Sequence, residues 1–309
     1  MSTRDLDVLV VGDANPDLVL RGDVVPRFGQ AEQLLSRADL VLGGSAAITA
    51  AGCARLGLRT ALLARVGDDV FGTVTRGWLA DRGVALYSPR PGGAQPTGLS
   101  VVLSAPDDRA ILTLPGTIPT LSPDDVTDEL LRRTRHLHVA SVFLQPRLAD
   151  GLADVLARAR AAGIGTSLDT NWDPAERWTG IRDLLAQVDV FLPNTAELLA
   201  VTGADDPESA AKSLVTAGTT VVLKDGARGG RAWAVDGECA APIVPVDLVD
   251  TTGAGDSFNA GFLAARLAGA PLDEAVAWAA AAGSLSTRAA GGTAAQATPD
   301  EIRAALRAG

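Results

Sequence analysis

The chain has 309 residues, 47% of them hydrophobic, and a formal net charge of −10. That is enough apolar material for a substantial core, and the acidic balance excludes nucleic acid or an anionic membrane surface as the main partner while leaving room for a local anion site. No apolar run is long enough to span a bilayer, no signal peptide is expected at the start, and Cys53 and Cys239 form no CxxC pair, so a reducing, cytoplasmic setting is expected.

In chain order, "LDVLVVGD" reads as a buried strand ending at Gly12 and Asp13. "GGSAAITAAGCARLG" has small residues at helical spacing and stops at Gly57. "TALLARVG" reads as a strand and "VFGTVTRGWLADRG" as a helix. "SPDDVTDELLRR" reads as a helix with Ser122 as N-cap and Pro123 at its first position. "HLHVASVFL" is a strand whose alternation puts His136 and His138 on one face. We read them as partly exposed strand residues, with a metal or catalytic pair as the alternative. A helix follows in "RLADGLADVLARARAAG". "IGTSLDTN", "VDVFLPN" and "TTVVLKDG" are strands ending in polar residues, with helices "TAELLAVTG" and "PESAAKSLVTAG" between the last two. "VPVDLVD" is one more strand, and the remainder is helical.

Short apolar strands alternating with helices imply an α/β fold with a largely parallel sheet covered on both faces. Two segments break the rhythm, at about 14–42 and 95–116. They read as short alternating strands of a small antiparallel sheet, with "PDDR" as a hairpin turn, inserted as a lid.

The most informative stretch is "DTTGAGDSFNAGF", Asp250–Phe262. Gly253 and Gly255 permit a tight turn, and the following helix aims backbone N–H groups outward, which makes an anion hole. Asp256 sits in the first helical turn beside that hole, where a carboxylate can take a proton from an attacking hydroxyl. A plain glycine turn with a helix-stabilising acid is the alternative. The loop is neither a dinucleotide fingerprint nor a Walker A loop.

That stretch resembles the signature of the PfkB, or ribokinase-like, carbohydrate kinases. "VVGDANPDLVL", "GGSAAITAAGCARLG", "LPNTAEL" and "VVLKDGARGG" resemble further motifs of the family in the same order. The resemblance implies a ribokinase-like three-layer sandwich across a single kinase domain, 1–309, with an inserted β-sheet lid. It implies an ATP-dependent kinase acting on a hydroxyl of a small sugar, with Mg²⁺ and, in many members, K⁺. A nucleoside or sugar-phosphate kinase is the alternative within the family, and a non-catalytic sensor on the same fold is the alternative outside catalysis. The lid is also where a second copy would pair.

Residue by residue, the resemblance makes Asp256 the catalytic base and gives the anion-hole amides to Gly253, Ala254 and Gly255. Asp17 and Asn15 would hold sugar hydroxyls, although "DANPD" is also good turn chemistry. Gly43 and Gly44 would let the sugar approach the backbone. Ile48 stands where the family carries an asparagine, and we expect it to face the sugar pocket. Asp169 and Asn171 would line the crevice, with a polar turn as the other reading. Asn194 would serve the nucleotide side, with Glu197 reaching Mg²⁺ through water; the same pair fits a capping box. Lys224 would reach nucleotide phosphate, and Gly226 and Gly229 would shape the loop beside it. Asp250 and Thr252 match half of a monovalent-cation site, whose other half should lie in "STRAAGGTAA". Ser45 replaces a lysine typical of the phosphosugar branch, which favours a neutral substrate.

Overall fold

The structure, a computed structural model, describes residues 4–90, 94–105 and 109–308. Its main sheet has nine strands. Seven are parallel: β1 (Leu6–Val11), β4 (Thr60–Leu63), β5 (Ala85–Tyr87), β8 (Thr134–Ala140), β9 (Gly165–Asp169), β10 (Val190–Phe191) and β11 (Thr220–Lys224). The antiparallel pair β12 (Gly230–Ala234) and β13 (Gly237–Ala241) extends one edge, giving the order β13-β12-β11-β10-β9-β8-β1-β4-β5.

A four-stranded second sheet contains β2 (Asn15–Gly22), β3 (Leu35–Gly43), β6 (Leu99–Ser104) and β7 (Arg109–Leu114), in the order β3-β2-β6-β7. These strands fall inside the two segments that broke the sequence rhythm. The antiparallel expectation holds for the outer ladders; the central one, β2 with β6, is parallel. Parallel strands need a crossover connection, and here that connection runs through the α/β body, by way of β4 and β5 and the helices beside them. Most of the expected "PDDR" turn lies outside the described residues.

Alternate residues of β1 explain the layering. Leu9 and Val11 enter one apolar cluster with helices α3 (Asp128–Arg133), α4 (Pro146–Asp150), α5 (Leu152–Ala161), α6 (Ile181–Leu185), α7 (Thr195–Thr202) and α8 (Pro207–Val215). Val8 and Val10 enter the opposite cluster with α1 (Ser45–Arg55), α2 (Val70–Asp81), α9 (Ala254–Leu267) and α10 (Leu272–Ser286). α10 also packs on α11 (Pro299–Ala308). A sheet buried on both faces needs apolar residues on both, as "LDVLVV" supplies; each fully buried Leu or Val contributes ~1.5–3 kcal/mol.

Several local expectations change. Ser122 does cap a turn, in a capping box with Asp125, but that turn is a short 3₁₀ helix; α3 starts afresh with Thr127 as its own cap. "VPVDLVD" is not a strand. β13 already holds the sheet edge, and Pro242 and Pro245 bring no amide donor to a ladder. Instead the Val249 and Asp250 amides both donate to the Thr287 carbonyl. His136 and His138 share a face as expected, but both are buried, each bonded to Ser167 Oγ at 2.8 Å. Burial pushes them down to about 4 and about 3, so both are neutral. No helix among the described residues is long and apolar enough to cross a membrane.

Candidate active site

The carboxyl ends of β1, β8, β9 and β11 meet the N-terminal ends of α1 and α9. Here the chain collects polar side chains that the apolar strands cannot bury elsewhere.

Gly253 begins this arrangement. Its φ is +72°, and a Cβ there would come within 2.6 Å of Gly292 Cα. Only glycine fits that turn. α9 starts on the next residue, and Gly255 and Asp256 of its first turn line the crevice. One expected donor is lost: the Ala254 amide closes the turn onto the Thr251 carbonyl at 3.1 Å. Gly255 and Asp256 supply the first-turn amides that remain.

Asp256 is buried, and its Oδ1 accepts a hydrogen bond from Ser45 Oγ. Ser45 Oγ in turn accepts from Asn171 Nδ2 at 3.0 Å, and Asn171 Oδ1 is held by the amide and hydroxyl of Ser141. This relay fixes the carboxyl rotamer. Burial, reinforced by the charge of Asp169, pushes Asp256 up to about 7, while Ser45 and Lys224 oppose the shift.

Lys224 leaves the end of β11 and donates to Asp169 Oδ2 at 2.6 Å; Asn259 Nδ2 reaches the same oxygen at 2.6 Å. Burial works against both charges, but their attraction prevails: Asp169 is held below the usual carboxylate range and Lys224 above the usual ammonium range. The ammonium also feels Glu197 and Asp256, so it sits at the electrostatic centre of the crevice.

Asn194 and Glu197 form the reciprocal capping box at the start of α7. Glu197 Oε2 accepts from the Asn194 amide at 2.8 Å, and Asn194 Oδ1 accepts from the Glu197 amide at 2.9 Å. Capping leaves Glu197 on the wall of the crevice, buried and raised above its ordinary pKa chiefly by that burial. One carboxylate suits a Mg²⁺ that keeps water and arrives on phosphate oxygens. The cavity between β11, α7 and α9 has a volume of about 670 Å³. Its walls include Lys224, Gly226, Gly253, Gly255 and Asp256, with half-exposed Trp172 at the rim. Gly229 lies outside those walls. A Cβ there would meet the Ala241 carbonyl at 2.1 Å, so it shapes the turn into β12.

The other end of the crevice lies where β2 and β3 of the second sheet meet the start of α1. Asp17 Oδ1 accepts from Asn15 Nδ2 at 2.9 Å, and both residues are buried. A Cβ at Gly43 would fall 2.1 Å from the Asp17 carboxyl group, so Gly43 makes the room that Asp17 occupies. Gly44, with φ +86°, then turns the chain into α1. Burial, followed by the charge of Asp13, pushes Asp17 up to about 7.

Asp13 lies in the crevice although its sequence context does not single it out, and Ser45, read in the sequence only for the charge it lacks, bonds Asp256 there. Asp13 reads in the sequence only as a strand end, yet its carboxylate accepts the Ala46 and Ser45 amides at 3.0 and 3.3 Å. Its charge acts on both Asp17 and Asp256, and so links the two ends. The available signal is an acid directly after a buried strand. Ile48 does not open to a pocket as expected. It is 4% exposed, and its side chain packs where any Cβ on Gly253 or Gly292 would have to go. It packs beneath the glycine turn that precedes α9.

The pfkB family carbohydrate kinase pattern matches residues 5–299. The chain belongs to the PfkB family of carbohydrate kinases. It is 31% identical over 300 residues to an ATP-dependent ribose-1-phosphate kinase of Halopiger xanaduensis, covering 97% of each chain. It is 32% identical over 318 residues to a fructokinase of Klebsiella pneumoniae, covering 97% of this chain and 99% of that one. The structure of Arabidopsis thaliana ribokinase complexed with ribose and ATP superposes with a TM-score of 0.85 at 27% identity, covering 98% of this chain and 99% of that one. The kinase is therefore a phosphotransferase with a hydroxyl acceptor on a ribokinase-like fold, with a large mostly parallel sheet and a small separate second sheet.

Proposed function

We propose that this kinase, acting as one domain, transfers the γ-phosphoryl group of ATP to a hydroxyl of a small sugar held between the lid and the β1–α1 turn. The observation that carries this reading is Asp256: a buried carboxyl near neutrality, beside the α9 amides and across from Lys224. Asp17 and Asn15 orient the sugar. Asp256 accepts the proton of the attacking hydroxyl, and the α9 amides stabilise charge on the phosphoryl oxygens. Lys224, Asn194, Gly226 and Glu197 face the nucleotide. Mg²⁺ bound at Glu197 would neutralise phosphate charge.

Arg109 of the lid favours a second reading, a sugar phosphate as acceptor. Its Nη1 meets Thr252 Oγ1 at 3.2 Å, and its charge reaches Asp17. The relative acting on ribose 1-phosphate agrees with this, and Ser45 in place of a lysine argues for a neutral sugar. ADP release measured across free pentoses and hexoses, nucleosides and pentose phosphates separates these readings. Turnover confined to phosphorylated acceptors selects the second; nucleotide binding with no turnover on any acceptor selects a sensor.

Asp17→Ala should raise KM for the sugar by about ten- to a hundredfold, the worth of hydrogen bonds to a charged group, and leave KM for ATP almost unchanged. Equal changes in both constants would make Asp17 a structural turn residue. The acid limb of kcat/KM should lie near pH 7, with rate rising as Asp17, on the sugar side, and Asp256 deprotonate. A pH profile falling instead toward pH 8 would contradict the role of Asp256 as base. Pairing of two copies through the lid is part of the proposal, since Leu40, Ile111, Leu112 and Leu114 expose apolar side chains on β3 and β7.

A further inference from the structure

The cation half-site expected at Asp250 and Thr252 is chemically occupied by the chain itself. Asp250 Oδ1 accepts the Thr252 amide at 2.9 Å and the Thr252 hydroxyl at 2.8 Å. Its Oδ2 accepts the Gly291 amide at 3.0 Å and the Arg21 guanidinium at 3.1 Å. The segment containing Gly291, expected to hold the other half of the site, therefore presents a donor to this carboxylate. The nearby Thr287 carbonyl is already spent on two amides, those of Val249 and Asp250. A K⁺ ion needs oxygen lone pairs, and both oxygens of Asp250 are turned to hydrogen-bond donors. The residues do not fit the cation.

We propose that Arg21 does the work of a monovalent cation in this kinase. The Asp250 carboxylate stands at the entrance to the anion-hole loop, a short step along the chain from Gly253. Left uncompensated, its charge would repel the phosphate oxygens that the α9 amides attract. The guanidinium cancels that charge through a pair only 26% and 12% exposed, where screening by water is weak. Arg21 also belongs to lid strand β2, whereas a free ion belongs to no element. The same contact therefore ties lid position to the anion-hole loop: lifting β2 from the crevice uncovers Asp250 and weakens the phosphate site. Arg109 on β7 adds a second lid contact to that loop, at Thr252. A covered sugar site and a phosphate-competent loop then form together, which limits transfer of the phosphoryl group to water when no sugar holds the lid down.

This rests on the loop's being the phosphoryl site, and its test reads the cation without turnover. Binding of a non-hydrolysable ATP analogue with Mg²⁺ is measured by titration calorimetry in K⁺ and in tetramethylammonium at equal ionic strength, and melting temperature is recorded in both. The wild-type protein should show the same affinity, within about twofold, and the same melting temperature in both salts. Arg21→Gln, which keeps a hydrogen-bond donor and loses the charge, should remain folded and bind the analogue about tenfold more weakly in tetramethylammonium. Arg21→Lys should restore most of that loss. A K⁺-specific gain in wild-type affinity or melting temperature would overturn the proposal, and so would wild-type affinity in Arg21→Gln. Failure of the sugar-kinase reading would appear separately, as absent turnover with these binding results intact.

Discussion

Asp256→Asn is expected to lower kcat by ~10²–10⁴-fold, the usual contribution of a general base, while the protein becomes more resistant to heat. The two effects share one cause. In the unfolded chain this carboxyl ionises near 3.8; in the folded protein burial delays ionisation to about 7. Between these values the folded state binds the extra proton, so stability is lost as pH rises through that window and stays reduced above it. Asparagine has the same size, can still accept the Ser45 hydroxyl, and carries no charge to bury. The melting temperature of the variant should therefore exceed that of wild type at pH 8 and approach it near pH 4. Affinity for ATP should change little, because the α9 amides are untouched. A variant with near-native kcat, or one that melts lower than wild type at pH 8, would show that the carboxylate is not the strained, functional group described above.

Lys224→Met should impair folding stability and turnover together. The ammonium is the countercharge of fully buried Asp169 and faces Glu197 as well. Removing one member of a buried pair leaves the other charge unpaired, at a cost of about 3–5 kcal/mol. Turnover should fall further than stability alone explains, because the crevice would lose its central positive charge. Adding Asp169→Asn to Lys224→Met separates the two consequences. The double variant has no unpaired charge at this position, and Asn259 can still bond the new amide oxygen. Denaturant unfolding should show most of the stability restored, and steady-state assays should show turnover still low. Recovery of both would make Lys224 a structural residue; recovery of neither would mean that the lost stability does not come from an unpaired Asp169.

What the sequence revealed and what it hid divide along physical lines. Gly43, Gly44 and Gly253 were legible because backbone geometry or close approach demands glycine there, and such demands are written into residue identity. The capping box of Asn194 and Glu197 was legible because it is a four-residue contact. The layered parallel sheet followed from strand and helix periods. What failed needed partners distant in sequence. "VPVDLVD" has a strand's composition, but β13 holds the sheet edge. His136 and His138 alternate as expected, but they share the sheet face of Val8 and Val10, which a helical layer covers, and Ser167 of β9 receives both rings. Ile48 has the sequence position of a pocket residue, but Gly253 and Gly292 rest on it. Arg21 gives no signal at all: its partner Asp250 lies more than two hundred residues away, across the lid. The glycine loop before α9 is visible in the sequence, whereas the Arg21–Asp250 pair beside it appears only in three dimensions.

Whether phosphate passes from ATP to a sugar hydroxyl with Asp256 as base is read by phosphorus NMR of the wild-type enzyme with ATP, Mg²⁺ and its best acceptor. A new phosphate-ester signal should grow in step with ADP, with negligible inorganic phosphate, and with Asp256→Asn it should grow at least about a hundredfold more slowly under the same conditions. Inorganic phosphate appearing in place of the ester, or an ester formed equally well by Asp256→Asn, would contradict a sugar kinase whose base is Asp256.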